Sequence, residues 1–569
     1  MNLEQTPAST SGQPSNHARD RLFYLLIPVA ALIAVLPLLR EGPSCGHDLS
    51  FHILSWLEAA AQLTHSGYPH WAFTPAWNAG EPRFLFYPPL SWMLGAVLGM
   101  ILPWLYVPAA FTFCCLAVCG LVFARFARAY VRPPAATLIA ILYLANPYML
   151  FVAYERTAYA ELLAAAWLPL LFVAAFAPRL RILPVAFPLA LLWLTNVPAA
   201  IMGSYSLAFL LVLRLVLSTP KGQRLRESLN GVAGALLGLA LAGIFLVPAV
   251  YERRFISPEL ALLPGLNPSN HFLFNRMPAG PDWDFHNAVV LSVSIVSVTL
   301  LLASALAFIP AFRAQRKPAL LSGLLTLLIL FLLVPPSLPV WNHLPELAFV
   351  QFPWRFNALL GTILGVLAVF ALSRWRRLNH LHPAIPALAG LLLAIALVLP
   401  AWHYFQQVCD DEDAVPARVA LYHSSAGSDP IDEYTPNSAD GDSLDAGDPG
   451  YWLLPRTQDV DSAPPATTSP AQAPNHVVLT LKAPQTLILN RRAYRIWRLT
   501  LNRHPVDSIT RTDGLLALEL PAGSSTVDIV YHRPWEINAG EALSLAALLL
   551  AVLLYLREKR ALSNLHRTV

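Results

Sequence analysis

RLFYLLIPVAALIAVLPLLREGPSCGHDLSFH, residues 21–52, decides how the rest of the chain is read. Its apolar part, 22–39, reaches about 27 Å at 1.5 Å per residue. That is enough to span the hydrocarbon of a bilayer with little tilt. No small-residue cleavage pattern follows it, so the run reads as an uncleaved signal-anchor helix. The segment before it, 1–21, is rich in Ser, Thr, Gln, Pro and Asn and reads as a disordered cytoplasmic tail. Directly after it come His47, Asp48 and His52, polar groups placed where a crossing ends.

Working outward, the same alternation of apolar runs and polar ends fills the chain. Of 569 residues, 56% are hydrophobic and 13% charged, at a mean hydropathy of +0.52. A soluble domain carries roughly a quarter charged residues, so most of this chain faces lipid or packed protein. The net charge of +4 is small for this length and argues against a nucleic-acid surface. The 50 prolines often sit in or beside apolar runs, where backbone breaks are tolerated only against protein or a cavity.

Runs of spanning length lie near 22–39, 105–124, 134–153, 160–177, 182–197, 199–217, 231–250, 288–311, 318–335, 357–373, 383–402 and 539–556. A further run, 88–103, is decided by charge. If it does not cross, the clusters Arg125/Arg128/Arg132, Arg179/Arg181, Lys221/Arg224/Arg226, Arg313/Arg316/Lys317, Arg374/Arg376/Arg377 and Arg557/Lys559/Arg560 all share the side of Arg19 and Arg21. The positive-inside bias therefore predicts about twelve crossings, a cytoplasmic N-terminus, and 88–103 lying in the interface or re-entering. The expected organisation is a transmembrane domain over 22–402 with a first outer loop at 40–104. An extracytoplasmic domain follows over 403–536, and a last helix with a cytoplasmic tail over 537–569.

The 403–536 segment opens acidic and rich in Gly, Pro, Ser and Asp. It continues as alternating, β-rich runs: HVVLTLKA (476–483), QTLILNRRAY (485–494), IWRLTLN (496–502), LLALEL (515–520) and TVDIVYHR (526–533). These predict a small β-sandwich, with 454–475 as loop or linker. Cys114, Cys115 and Cys119 lie in an apolar run and read as inert. Cys45 and Cys409 both flank outer segments, and sequence leaves open whether they pair.

Charged groups at membrane depth carry a penalty of about 2.5–3.5 kcal/mol even on the lenient insertion scale, so polar groups gathered on one face need a reason. Four clusters gather outside. GHDLSFHILSWLEAAAQL (46–63) reads as an amphipathic helix on the membrane, with Asp48 either its cap or a reactive group; His47, Asp48 and His52 are too few close ligands for a metal site. PAWNAGEPRFLFYPPL (75–90) brings Glu81, Arg83 and Tyr87, among aromatics that also suit an interfacial belt. NPYMLFVAYERTAYAEL (146–162) interrupts two runs with Glu155 and Arg156, with Glu161 at the start of the next. FVQFPWRFNALL (349–360) places Arg355 at the entry of a crossing, where a snorkelling anchor would look the same. Together they supply a carboxylate base and several guanidiniums, which bind phosphate bidentately and stay charged.

The Asp-bearing loop after a first crossing, FYPP, and the NPY…YER turn resemble the GT-C class of polytopic glycosyltransferases. More narrowly, GHDLSFH, WNAGEPRFLFYPPL, YER…AEL, FPWRF and DEYTP (432–436) resemble a bacterial membrane family known as "6-pyruvoyl-tetrahydropterin synthase-related", although no soluble pterin enzyme is recognisable here. RIWRLTLN…LELPAGSSTVDIVY with its following helix is similar to YfhO-like membrane proteins. The resemblance implies transfer of a sugar from a polyprenyl-phosphate carrier to an envelope glycan, lipid or protein acceptor at the outer face of the bacterial inner membrane. It casts Asp48 as catalytic base. Arg156 and Arg355, with Arg83 behind them, are expected on the carrier phosphate. Glu155 orients Arg156 or assists Asp48, and Glu81, His52 and Tyr87 line the site. Many GT-C members carry paired acids where this chain has His47–Asp48, so neither a metal nor another cofactor is expected. Two rivals remain: a lipid or sugar-lipid transporter, for which internal repeats would be expected, and a non-catalytic envelope assembly protein.

Overall fold

The computed structural model describes residues 23–567 apart from 66, 264, 375–383, 438, 441–442, 445 and 466–468. The expected tail at 1–21, with Arg19 and Arg21, and the pair Arg376/Arg377 lie outside the described residues.

The chain is an α-helical membrane protein. Among the described residues, seven helices are long and apolar enough to cross a bilayer: Trp104–Ala127, Tyr159–Phe176, Val197–Leu217, Trp283–Ala314, Pro353–Ser373, Leu388–Phe405 and Trp535–Arg560. Three further helix pairs pass the same test but are bent, by 41°, 78° and 93°. Leu26–Arg40, Pro89–Ile101 and Ile182–Trp193 are shorter apolar helices. Pro89–Ile101 has 13 residues and reaches about 20 Å, short of the ~30 Å hydrocarbon core.

The bends have local causes. Asn146 ends the Pro133–Leu144 helix and caps the next, its side chain accepting from the amides of Tyr148 and Met149. Pro335 opens the break between Arg316–Leu332 and Leu338–His343. Between Leu241 and Gly243 the ladder is interrupted, and Ser544 of the last helix repairs it: its hydroxyl accepts from Ile244 N–H at 2.7 Å and donates to Leu241 C=O at 3.0 Å. A broken helix is tolerated at membrane depth when a neighbour satisfies it in this way. The close approach needs Gly540, where a Cβ would lie 2.5 Å from the Gly243 carbonyl oxygen.

Among the described residues, seven antiparallel strands form the expected β-sandwich before the last helix. One sheet has the order β1 (Tyr451–Pro455), β3 (Gln485–Arg492), β6 (Leu515–Leu520). The other has the order β2 (His476–Leu481), β7 (Gly523–Tyr531), β4 (Trp497–Leu501), β5 (His504–Val506). Leu487, Leu489, Leu516 and Leu518 of one sheet pack on Leu499, Val527 and Ile529 of the other. β1 and β5 are additions to the five expected strands. The acidic segment before β1 contains a helix, Val415–His423.

The sandwich grips the 71–79 stretch of the first loop. Asn490 donates to Trp77 C=O, and the Arg492 amide donates to Ala79 C=O. Ala76 and Ala79 pack against Trp452, Ile488 and Leu515. Cys45 and Cys409 are joined in a disulfide, which settles the pairing that sequence left open. The start of the first loop is thereby tied to the end of the Ala384–Phe405 helix.

Candidate active site

Three chain segments meet beside that disulfide. The first is the turn at 44–48. Ser44 donates to Tyr154 C=O, and the Asp48 amide donates to Arg156 C=O. Gly46 lies so close to the opposing backbone that a Cβ would sit 2.3 Å from the Glu155 carbonyl oxygen. The second segment is the end of the bent pair, where Val152–Arg156 winds as a single π-turn. Such bulges are uncommon and frequent at functional sites. Thr157 ends it with φ 48° in the left-handed region, an outlier for a β-branched residue. The third is the 3-10 turn Pro353–Phe356, which delivers Arg355 at the entry of the Asn357–Ser373 helix.

These segments bring Asp48, Arg156 and Arg355 together around Glu161. Glu161 is buried; it accepts from Tyr148 O–H at 2.6 Å and from Arg156 Nη1 at 2.8 Å. Arg355 Nε lies 3.4 Å from the same carboxylate. Arg156 Nη2 donates to Asp48 Oδ2 at 3.2 Å. Phe352 lies beneath both guanidiniums, at 5.4 Å from Arg156 and 4.6 Å from Arg355, and Trp354 lies 5.1 Å from Arg156. Two carboxylates thus face two guanidiniums, so the cluster is formally neutral. The Nε of Arg156 is buried without a hydrogen-bond acceptor, while that of Arg355 meets Glu161 in the 3.4 Å ion pair without hydrogen-bond alignment. A buried guanidinium donor left open is unfavourable.

Asp48 is the member that remains open, its side chain 36% exposed. Its carboxylate turns to Arg156 rather than to the first amides of the Leu49–His65 helix. Burial pushes the Asp48 carboxyl up, but Arg156, His52, Arg355 and His47 together hold it below its ordinary 3.8. It is a carboxylate at neutral pH.

The other expected residues divide. Glu155 follows the π-turn away from Arg156 and lies 3.8 Å from His47; the acid that orients Arg156 is Glu161. Glu81 and Arg83 form a buried pair at 2.8 Å. Arg83 also donates to Ser55, and Glu81 accepts from the Ile431 amide. They join the first loop to the chain at Ile431, and among the described residues neither pairs with Asp48 or Arg156. His52 is buried among Phe51, Trp56, Tyr87 and Tyr159, and burial lowers it to about 4. Tyr87 is half-buried on the rings of Phe51 and His52. Among the described residues no three His, Cys, Asp or Glu side chains are grouped to hold a metal ion. His47 faces Phe285 and Glu155, while His52 faces the aromatic rings.

Glu161 and Tyr148 were readable only as the acid at a helix start and the tyrosine of NPY. What marks them is their pairing across the turn, which spacing alone does not reveal.

No protein-family model and no curated protein matches the chain. Among solved structures, the chain is similar to the arabinofuranosyltransferase AftD from Mycobacteria at 15% identity and a TM-score of 0.42, over 90% of this chain and 40% of that one. It is similar to an oligosaccharyltransferase from Archaeoglobus fulgidus at 14% identity and a TM-score of 0.38, covering 70% of this chain and 55% of that one. A third is ArnT from Cupriavidus metallidurans bound to undecaprenyl phosphate, at 15% identity and a TM-score of 0.37, covering 71% and 77%. Likenesses of this size transfer no residue role and no substrate to this chain.

Proposed function

We propose that the chain is a GT-C-type glycosyltransferase that moves a sugar from a polyprenyl-phosphate carrier to an envelope glycan, lipid or protein acceptor. The reaction lies at the non-cytoplasmic face of a bacterial inner membrane. The narrower kinship, to the "6-pyruvoyl-tetrahydropterin synthase-related" and YfhO-like proteins, belongs to this proposal. One observation carries it: a half-open, ionised Asp48 beside two buried arginines, with the Nε–H of Arg156 lacking an acceptor.

In this reading the acceptor hydroxyl lies against Asp48. Its oxygen bonds to the anomeric carbon as the bond from that carbon to the carrier phosphate oxygen breaks. The hydroxyl proton passes to Asp48, and the carrier phosphate leaves with the electron pair. Arg156 and Arg355 stabilise the charge on that phosphate, where preformed donors act with little reorganisation. The 3.2 Å contact from Arg156 to Asp48 is the one that yields to substrate. Glu161 keeps both guanidiniums aimed. Glu81, Arg83 and His52 hold the loop that carries Asp48, and Tyr87 faces the sugar. The lipid-linked sugar is substrate, and the reading assigns no metal or other cofactor.

Asp48→Asn keeps the shape and removes the base. In a deletion strain carrying this variant, mass analysis of lipid-linked glycans is expected to show an unused polyprenyl-phosphate sugar accumulating, with wild-type complementation restoring the pool. Full complementation by Asp48→Asn sinks the catalytic assignment and leaves transport or envelope assembly as the better account.

A further inference from the structure

The chain between Glu252 and the Trp283–Ala314 helix brings a histidine to the arginine cluster that the transfer chemistry leaves unused. His271 is buried, with 6% of its surface exposed. Its ring meets Phe352 edge-on, the centroids 4.4 Å apart, and Phe352 is the ring beneath Arg156 and Arg355. His286 packs against it at 4.6 Å.

One hydrogen bond fixes what this ring can do. Its Nε2 lies 2.6 Å from the Gly265 carbonyl oxygen. A carbonyl only accepts, so Nε2 carries the proton and Nδ1 is a bare lone pair. That nitrogen is buried, and among the described residues nothing donates to it. Pro264, outside the described residues, has no N–H to offer. His286 is fixed in the same sense, its Nε2 donating to Asn270 C=O at 3.1 Å, so in the neutral form it has no second proton to give. Burial pushes His271 down to about 3, helped by His286, Arg355 and Arg156 and opposed by the bond to Gly265. Across neutral pH the ring stays uncharged and accepting.

An accepting nitrogen complements the arginines, which offer donors only. A sugar phosphate presents acceptors on its phosphate and O–H donors on its ring, so both kinds of partner are needed to hold it. Asp48 is already engaged with the acceptor hydroxyl in the proposed transfer. We propose that His271 is a specificity-determining residue of this site, its Nδ1 accepting a hydrogen bond from a hydroxyl of the carrier-linked sugar. The assignment rests on the glycosyltransferase reading. The Pro268–Asn270 turn just before His271 is closed by bonds of its own: Asn267 Oδ1 accepts from the Ser269 amide, and the Asn270 amide donates to Asn267 C=O. It can therefore shift as a unit to admit the hydroxyl.

Two substitutions separate the two nitrogens. His271→Asn puts an amide oxygen near the place of Nδ1 and removes the Nε2 donor, whereas His271→Gln keeps an N–H donor near Nε2 and removes Nδ1. The probes are the lipid-linked sugar isolated from the strain carrying Asp48→Asn and undecaprenyl phosphate, which has no sugar. Each is titrated into the detergent-purified full chain and read by native mass spectrometry. His271→Gln is expected to bind the lipid-linked sugar about tenfold more weakly and undecaprenyl phosphate as the parent does. His271→Asn should largely restore binding of the sugar-bearing lipid. Equal affinity of parent and His271→Gln for that lipid overturns the proposal. So does a loss in His271→Asn as large as in His271→Gln, because the bond to Gly265 then accounts for both. An equal loss for undecaprenyl phosphate overturns it as well, since no sugar hydroxyl is then involved. If Asp48→Asn accumulates no lipid-linked sugar, the transferase reading falls and takes this assignment with it; the other three outcomes remove His271 alone.

Discussion

Glu161 receives Tyr148, Arg156 and Arg355 at one carboxylate, although in sequence it differs little from Glu155 six positions earlier. Which of the two orients Arg156 depends on the π-turn, and no periodicity announces a single extra residue in a turn. Removing one partner of a buried, hydrogen-bonded ion pair destabilises by about 3–5 kcal/mol. Glu161→Gln is therefore expected to lower the thermal midpoint clearly and to cut transfer at least a hundredfold, since both guanidiniums lose their anchor. Tyr148→Phe removes one hydrogen bond, worth about 1 kcal/mol, and should cost much less of either. A pulse of radiolabelled lipid-linked sugar, with melting followed in the same detergent, checks both. Acidity tests the open residue differently. Asp48 is held below 3.8, so its contribution is complete above its unfolded value and is lost only as pH falls through its lower folded value; the rate should show no acid limb from Asp48 between pH 7 and 5. His52 has the opposite consequence in the same range. Buried as the neutral form with a value near 4 against 6.5, it loses stability progressively as pH falls from about 6.5 to about 4, because only the unfolded chain takes up the proton. His52→Gln should flatten that part of the melting-versus-pH curve, and an unchanged slope would remove His52 from the account.

At the scale of elements, apolar length and alternation made most of the architecture readable, because burial in lipid and in a sandwich core leaves periodic marks. Five strands carry such alternation. β1 escaped because YWLLP spans only Tyr451–Pro455, between Gly450 and a polar stretch, and takes its identity from pairing with β3 rather than from its own pattern. The breaks at Asn146, Gly243 and Pro335 each leave backbone groups for side chains to satisfy, so they read as interruptions but not as angles. Gly46 shows how far one such junction depends on a missing side chain. Gly46→Ala is expected to separate the 44–48 turn from Glu155 and Arg156, destabilising by about 1–3 kcal/mol as overpacking does. Transfer should fall more than stability accounts for, since Asp48 moves away from Arg156. Kinetics that track the melting temperature alone would place the effect in folding. Ser544→Val strands the Ile244 amide and the Leu241 carbonyl, at about 1–3 kcal/mol. Loosening of the Gly243–Glu252 helix in hydrogen exchange is the readout.

Over the whole molecule, the sandwich is joined to the bundle through charge as well as through the first loop. Arg495 donates to Glu252 and to Glu536 at 2.8 Å each, and Tyr494 O–H donates to Glu252 at 2.8 Å. Strand connection, bent helix and last helix therefore share one polar knot. Charge placement outside the crossings was legible, but the sequence does not distinguish arginines that hold domains together, such as Arg83 and Arg495, from those that gather at Asp48. Arg495→Ala leaves two buried carboxylates facing each other without their cation, and limited proteolysis is expected to release the 451–531 sandwich from the bundle faster than in the parent protein. The disulfide between Cys45 and Cys409 adds a matter of timing. Its halves are separated by 364 residues, and at roughly 5–20 residues per second of synthesis the first thiol waits on the order of 20–70 seconds for its mate. Throughout that interval the nascent chain offers an unpaired nucleophile next to the half-built pocket. Correct biogenesis then requires that no earlier partner capture it before the ribosome has delivered about seven-tenths of the protein.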